Sequence, residues 1–270
     1  MTTRILTGII LLALLAFALY FGGWAFSLLW VAAVCLSMYE EFHALSQTGL
    51  RPVAIPSWIA LIIAVPGFLL LTELAGLLLL MFLTMLTMMA VSAVVIFRSA
   101  PKLEDLLMSL LPLFSIVVPG LCMLALVRVT PIAQQRTFLS LAFFVPVLGD
   151  SFAYFAGVRF GRVKLVPEVS PKKTVEGAVA GLAGGILAAV GIFILSSAFA
   201  SNTIPFYHFL LLGFLGSIAG QIGDLFASLV KRYCRIKDFG HIFPGHGGMM
   251  DRLDSILFVA VLVYIYQAFL

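Results

Sequence analysis

The chain has 270 residues, 63% of them hydrophobic and 10% charged, whereas a soluble domain carries roughly 45–50% apolar and 25% charged residues. A water-soluble globule is therefore excluded. The net charge of +4 is too small to point to a nucleic-acid partner, and there is no tail of like charge.

Apolar stretches bounded by charge, Pro or Gly predict nine transmembrane helices, at 5–21, 24–39, 57–72, 76–97, 106–127, 137–158, 176–199, 206–230 and 252–269. The expected fold is thus an all-α polytopic integral membrane protein. Arg4 followed by an apolar run reads as the first span rather than a secretory leader, because a second span follows at once. Cytoplasmic loops carry the excess of Lys and Arg. With nine spans, fourteen of the sixteen basic residues fall on one side, and only Arg128 and Arg136 on the other. That bias predicts a cytoplasmic N-terminus and an external C-terminus.

Residues 1–136 place few polar groups inside their helices and read as a lipid-facing scaffold; 137–270 form a second membrane region, with cytoplasmic loops at 159–175 and 231–251, in which function is to be sought. Glu40 and Glu41 are expected to be solvated carboxylates closing the second helix. Cys35, Cys122 and Cys234 show no Cys-x-x-Cys spacing, so neither a disulfide framework nor a zinc site is suggested. Gly181, Gly184 and Gly185 in the seventh helix would let a neighbouring helix approach closely.

Seventeen charged residues, seven acidic and ten basic, lie between Asp150 and Asp254. Asp150 stands inside an apolar helix, where a carboxylate costs about 2.5–3.5 kcal/mol on insertion scales. Asp224 repeats the situation in the eighth helix, and Gln221, Asp224 and Ser228 share one helical face. Both acids therefore face protein or a water-filled cavity near the cytoplasmic side. In the loop at 159–175, Ser170 or Thr174 is positioned to cap the seventh helix, whose N-terminal amides favour phosphate, with Lys172 and Lys173 adding charge. The positive-inside rule explains that loop equally well.

The loop from Ser228 to Asp254 is more specific. Lys231 and Arg232 open it, the tetrad Gly245-His246-Gly247-Gly248 permits close backbone approach to a ligand, and Asp251 and Asp254 share one face of the next helix. Carboxylates beside basic residues suit a magnesium–phosphate site, since hard oxygen ligands hold the cation and the basic groups neutralise phosphate.

The elements Ser-x-x-Lys-Arg, Lys-Asp-x-Gly, Pro-x-His-Gly-Gly and Asp-Arg-x-Asp in this loop resemble the signature of the phosphatidate cytidylyltransferase (CDP-diacylglycerol synthase) family. Gly149-Asp150-Ser151-x-Ala153-Tyr154 and Ser170-Pro-Lys-Lys-Thr-Val-Glu-Gly177 resemble two further blocks of that family, with Val175 standing where an aromatic residue is expected. The resemblance covers roughly residues 149–254.

It implies transfer of CMP from CTP to phosphatidic acid, giving CDP-diacylglycerol and pyrophosphate in phospholipid biosynthesis. Asp224 and Asp251 are the leading candidates for metal ligands, with Asp150 and Asp254 as ligands or as groups orienting them. His246 and Lys231 join Asp224 and Asp251 as candidate catalytic residues. Candidate substrate-binding residues are Ser170, Lys172, Lys173, Thr174, Ser228, Arg232, Gly247, Gly248 and Arg252. The implied cofactor is Mg2+, as one ion or two, with a monovalent cation left open. Partners would be CTP, phosphatidic acid and membrane lipids, in a homodimer, without nucleic acid. The expected location is a bacterial cytoplasmic membrane, with the site facing the cytoplasm. The alternative from a different class is an ion-coupled transporter using Asp150 and Asp224.

Overall fold

The computed structural model describes residues 2–199, 203–243, 245 and 247–270; within α1 it describes no side chain of residues 2–7 or 9–12. Among the described residues nine helical rods follow the nine predicted segments. They are α1 (Thr2–Phe21), α2 (Gly23–Ser46), α3 (Ile55–Leu70), α4 (Glu73–Ile96), α5 (Leu103–Leu126), α6 (Ile132–Phe160), α7 (Val175–Phe199), α8 (Phe206–Tyr233) and α9 (Met250–Gln267). In α5 a π-helical turn, Leu113–Val117, lies between Pro112 and Pro119.

Six described helices, α2, α4, α5, α6, α7 and α8, are long and apolar enough to cross a membrane by length and composition. The structure thus supports a polytopic helical membrane protein. At 16 residues α3 is shorter, and α9 opens with Asp251, Arg252 and Asp254. The face of α4 that carries Met81, Phe82, Met85 and Met89 is exposed, as a lipid-solvated surface would be.

The bundle is helical, as expected, and the loop at 159–175 adds a short antiparallel hairpin, β1 (Lys164–Val166) and β2 (Ser170–Thr174), pairing Lys164 with Thr174 and Val166 with Ser170. One expectation is corrected. Glu40 and Glu41 are not solvated; they are 3% and 0% exposed, because α2 continues to Ser46 and keeps them within its packed length.

The region holding the acidic residues is built on glycine. Gly149, Ala153 and Gly157 recur every fourth residue on α6 and face Gly177 and Gly181 on α7, while Gly184 lies against Leu148 and Phe152. A Cβ on Gly177 would meet the Ala153 carbonyl at 2.7 Å, and one on Gly184 the Leu148 carbonyl at 2.9 Å. Small residues at this spacing let two backbones touch, which in lipid is a main source of helix association. The seam continues into α8, where Gly213 sits against Gly185 and Ile186. Helix α9 lies at the centre, against α2, α5, α6 and α8, and buries Leu253, Ile256, Leu257, Val259, Ala260 and Val263.

The basic residues sort by end of the bundle. Arg98 donates to the Arg51 carbonyl at 2.7 Å and pairs with Asp105 at 3.2 Å, joining two loops at one end. Arg128 and Arg136 lie at the other, where they donate to the Phe68 and Tyr20 carbonyls in the last turns of α3 and α1 at 2.9 and 2.7 Å. Cations are favoured at helix C-termini.

The seam makes a direct test of packing. Gly177→Ala should destabilise the protein by about 1–3 kcal/mol through overpacking. Gly191→Ala on the same helix, with nothing within 4 Å of the new Cβ, should be neutral or slightly stabilising. Thermal unfolding of both variants in detergent checks this, and equal melting temperatures would contradict the close α6–α7 contact.

Candidate active site

Asp150 on α6 and Asp224 on α8 each lie roughly 14–15 Å along the helix from its C-terminal end, at 1.5 Å per residue. Asp251 and Asp254 sit in the first two turns of α9, which enters the bundle from that same end. All four carboxylates line one cleft of about 550 Å³. Lys172, Lys173 and Thr174 from the hairpin and Arg252 from α9 line it too, as do Tyr154, Lys164 and Gln221.

The two acids singled out as leading ligands each hold a lysine. Lys173 Nζ lies 2.5 Å from Asp224 Oδ2, both side chains about one quarter exposed. Lys231 Nζ lies 2.7 Å from Asp251 Oδ1, and this pair is more deeply enclosed, the side chains being 12% and 4% exposed. The other oxygen of Asp251 accepts the Phe239 and Gly248 amides at 2.8 and 3.0 Å. Asp251 therefore ties the end of α8, the connecting loop and the start of α9 to one carboxylate. Lys231 also packs 5.5 Å from the centroid of the Phe239 ring.

Ser255 links the remaining two acids. Its amide donates to Asp254 Oδ1 at 2.7 Å and its hydroxyl to Asp150 Oδ2 at 3.2 Å. The hairpin is held by side chains rather than by its own short ladder. Arg232 Nε donates to the Val169 carbonyl at 3.2 Å, the Val163 amide donates to the Glu176 carboxylate at 3.3 Å, and Thr174 Oγ1 accepts the Gly177 amide at 3.1 Å. Thr174, not Ser170, is thus the residue that satisfies an amide in the first turn of α7. Gln221 donates to the Ala178 carbonyl at 3.1 Å, fastening α8 to α7 beside the cleft.

Several predicted residues lie at the margin. Among the described residues, Ser170, Ser228, Arg232, Gly247 and Gly248 are not part of the cleft wall. Ser170 opens β2 at the end of the hairpin away from α7, and Arg232 is engaged by Val169. Gly247 and Gly248 wrap behind Asp251: a Cβ on Gly247 would meet its carboxylate at 2.9 Å. Gly245 and Gly247 also take φ of +79° and +83°, which suits glycine. His246 lies outside the described residues. Cys234, just past α8, is buried, which pushes its thiol up to about 11 and keeps it an unreactive thiol near neutrality.

Ser255 was not singled out by sequence reading, although a hydroxyl beside Asp254 in an otherwise apolar stretch is the signal that would have found it. Among the described residues no three acidic, His or Cys side chains form a ready-made metal cage. Carboxylates in twos, next to cations that would attract phosphate, fit magnesium, which binds through one or two carboxylates plus water and substrate phosphates.

The sequence model of the cytidylyltransferase family matches residues 2–270. The chain is 31% identical over 273 residues to a phosphatidate cytidylyltransferase of Bacillus subtilis, covering 99% of this chain and 98% of that one. It is 41% identical over 117 residues to the enzyme of that name from Thermotoga maritima, covering 43% of each chain. With that from Rickettsia felis it shares 45% over 120 residues, 43% of this chain and 52% of the other.

Removing one partner of an enclosed ion pair costs about 3–5 kcal/mol, since the other charge is stranded. Lys231→Ala should therefore lower the thermal stability of the detergent-solubilised protein markedly, and Lys231→Ala combined with Asp251→Asn should recover part of the loss. A single variant as stable as the parent would show that the pair does not organise the loop.

Proposed function

Given that the chain belongs to the cytidylyltransferase family, we infer that it transfers CMP from CTP to phosphatidic acid, giving CDP-diacylglycerol and pyrophosphate. The observation that carries the assignment of its site is the convergence of Asp150, Asp224, Asp251 and Asp254 with Lys172 and Lys173 on a single cleft.

A phosphomonoester has a second pKa of about 6, so the lipid phosphate is substantially ionised near neutrality and can attack without a protein base. One of its oxygens forms a bond to the α-phosphorus of CTP, and the bond from that phosphorus to the oxygen linking it to the β-phosphate breaks, so that this oxygen leaves as a terminal oxygen of pyrophosphate. The barrier lies in bringing two polyanions together and in stabilising charge on the leaving pyrophosphate, which preorganised cations do best in a water-poor site. Lys172 and Lys173 on the hairpin side and Lys231, Arg232 and Arg252 on the other are assigned to the phosphates. Thr174 lines the substrate's surroundings and fixes the first turn of α7, while Ser170, Ser228, Gly247 and Gly248 lie outside the cleft wall and act on the site through the hairpin, the end of α8 and the loop that holds Asp251. His246 is assigned the hydrogen bond or proton at the transferred phosphoryl group.

Asp224 and Asp251 are assigned to hold magnesium, as one ion or two, and Asp150 and Asp254, joined through Ser255, to orient them. Bound there, the metal would neutralise phosphate charge and polarise the α-phosphate. Lys173 and Lys231 already touch these acids, and Lys173 also lines the cleft in which the phosphates are placed.

We read the nine helices as nine crossings of a bacterial cytoplasmic membrane, with the cleft and the N-terminus at the cytoplasmic side and the C-terminus outside. The sorting of Arg51 and Arg98 to one end and Arg128 and Arg136 to the other supports this. The acyl chains then stay in lipid while the headgroup reaches the cleft. A homodimer is part of the same reading.

Asp224→Ala and Asp251→Ala, each in correctly inserted protein, should lower CDP-diacylglycerol formation by at least about 100-fold. Near-normal turnover at saturating magnesium would remove the metal assignment. Lys172→Ala and Lys173→Ala should mainly raise the KM for CTP or phosphatidate. Unchanged kinetics would leave the hairpin's charges explained by topology alone.

A further inference from the structure

The Gly-rich loop before α9 is gripped from two sides. From one side Asp251 accepts the amides of Phe239 and Gly248. From the other comes Glu40, which belongs to α2, about two hundred residues away in sequence. Its Oε2 accepts the Met250 amide at 2.9 Å, one of the N–H groups that the first turn of α9 leaves without an intrahelical acceptor. Its carboxylate also lies against the backbone of Gly240 and Gly248, so that a Cβ at either position would collide with it.

Two features mark Glu40. It is 3% exposed, so water does not substitute for the contact. Its neighbour Glu41 is equally buried but turns to Ser115 in the π-helical turn of α5, at 2.8 Å, and bonds no amide of the loop.

We propose that Glu40 is a positioning residue for the nucleotidyl transfer: by holding the Met250 amide and the Gly240 and Gly248 backbone it sets where Asp251 and Asp254 stand in the cleft. The inference rests on the assignment of those two aspartates above. It also draws the N-terminal helices into the catalytic machinery, since the acceptor that caps α9 comes from α2. Negative charge at a helix N-terminus adds to the effect.

The test separates reach from charge in the full-length protein. Glu40→Gln keeps an acceptor at the same distance and removes the charge; Glu40→Asp keeps the charge and withdraws the acceptor by one methylene. Hydrogen–deuterium exchange of residues 239–250 and steady-state kinetics are read on both, with Glu41→Gln as the control. Glu40→Asp should speed exchange in this segment by about tenfold and lower kcat by a similar factor, with a smaller change in the KM for CTP. Glu40→Gln should stay within about threefold of the parent in both, and Glu41→Gln should leave loop exchange unchanged. Unaltered exchange in Glu40→Asp, or a Gln variant as impaired as the Asp variant, would overturn the proposal. A parent protein that forms no CDP-diacylglycerol would instead overturn the proposed reaction, while leaving the exchange result to stand.

Discussion

A carboxylate deep in an apolar bundle keeps its charge only if the protein supplies what water would have supplied. Asp251 is the place where this demand is met most fully: one oxygen takes the Lys231 ammonium, the other takes two backbone amides. Those partners come from the end of α8, from the loop and from the turn before α9. Satisfying one charge therefore determines the path of the chain through the most polar segment of the molecule. The shape of that path requires Gly245 and Gly247 at positive φ and Gly248 where no side chain fits.

The glycine seams do the complementary work. Backbone contact between α6 and α7, and between α7 and α8, brings Asp150 and Asp224 to comparable depth. Lys173 then reaches Asp224 from the hairpin that joins α6 to α7. A cleft formed in this way sits at the end of the bundle, where a lipid headgroup and a water-soluble nucleotide can both arrive. Polar groups gather at that end, which fits transfer chemistry between two phosphates better than a pathway through the membrane.

The helices were legible because lipid imposes a length and a polarity on each span, and the predicted boundaries fall within a few residues of most observed ones. The sorting of Arg51 and Arg98 away from Arg128 and Arg136 was legible for the same reason. Asp150 and Asp224 stood out because each is expensive inside an apolar helix, and Asp251 and Asp254 because they share one face of a helix just past a glycine-rich loop. The hairpin was not legible, since strands of three and five residues leave little alternation to read and its hold comes from Arg232, Glu176 and Thr174. Glu40 was misread because apolar periodicity ends near residue 39 while α2 continues to Ser46. Its partner, the Met250 amide, is a backbone group that no sequence pattern advertises. Gly247 and Gly248 were read as sites of close approach to a ligand, whereas the groups that approach them in the structure are the protein's own Asp251 and Glu40.

The central claim is that this cleft joins the lipid phosphate to the α-phosphorus of CTP. It is tested most directly by incubating the purified, membrane-reconstituted protein with phosphatidate, magnesium and CTP labelled at either the α- or the γ-phosphorus. Label from the α-position should appear in the lipid and label from the γ-position in pyrophosphate, in equal amounts. Folded protein that places no α-label in lipid, or that carries γ-label into it, would contradict the assignment.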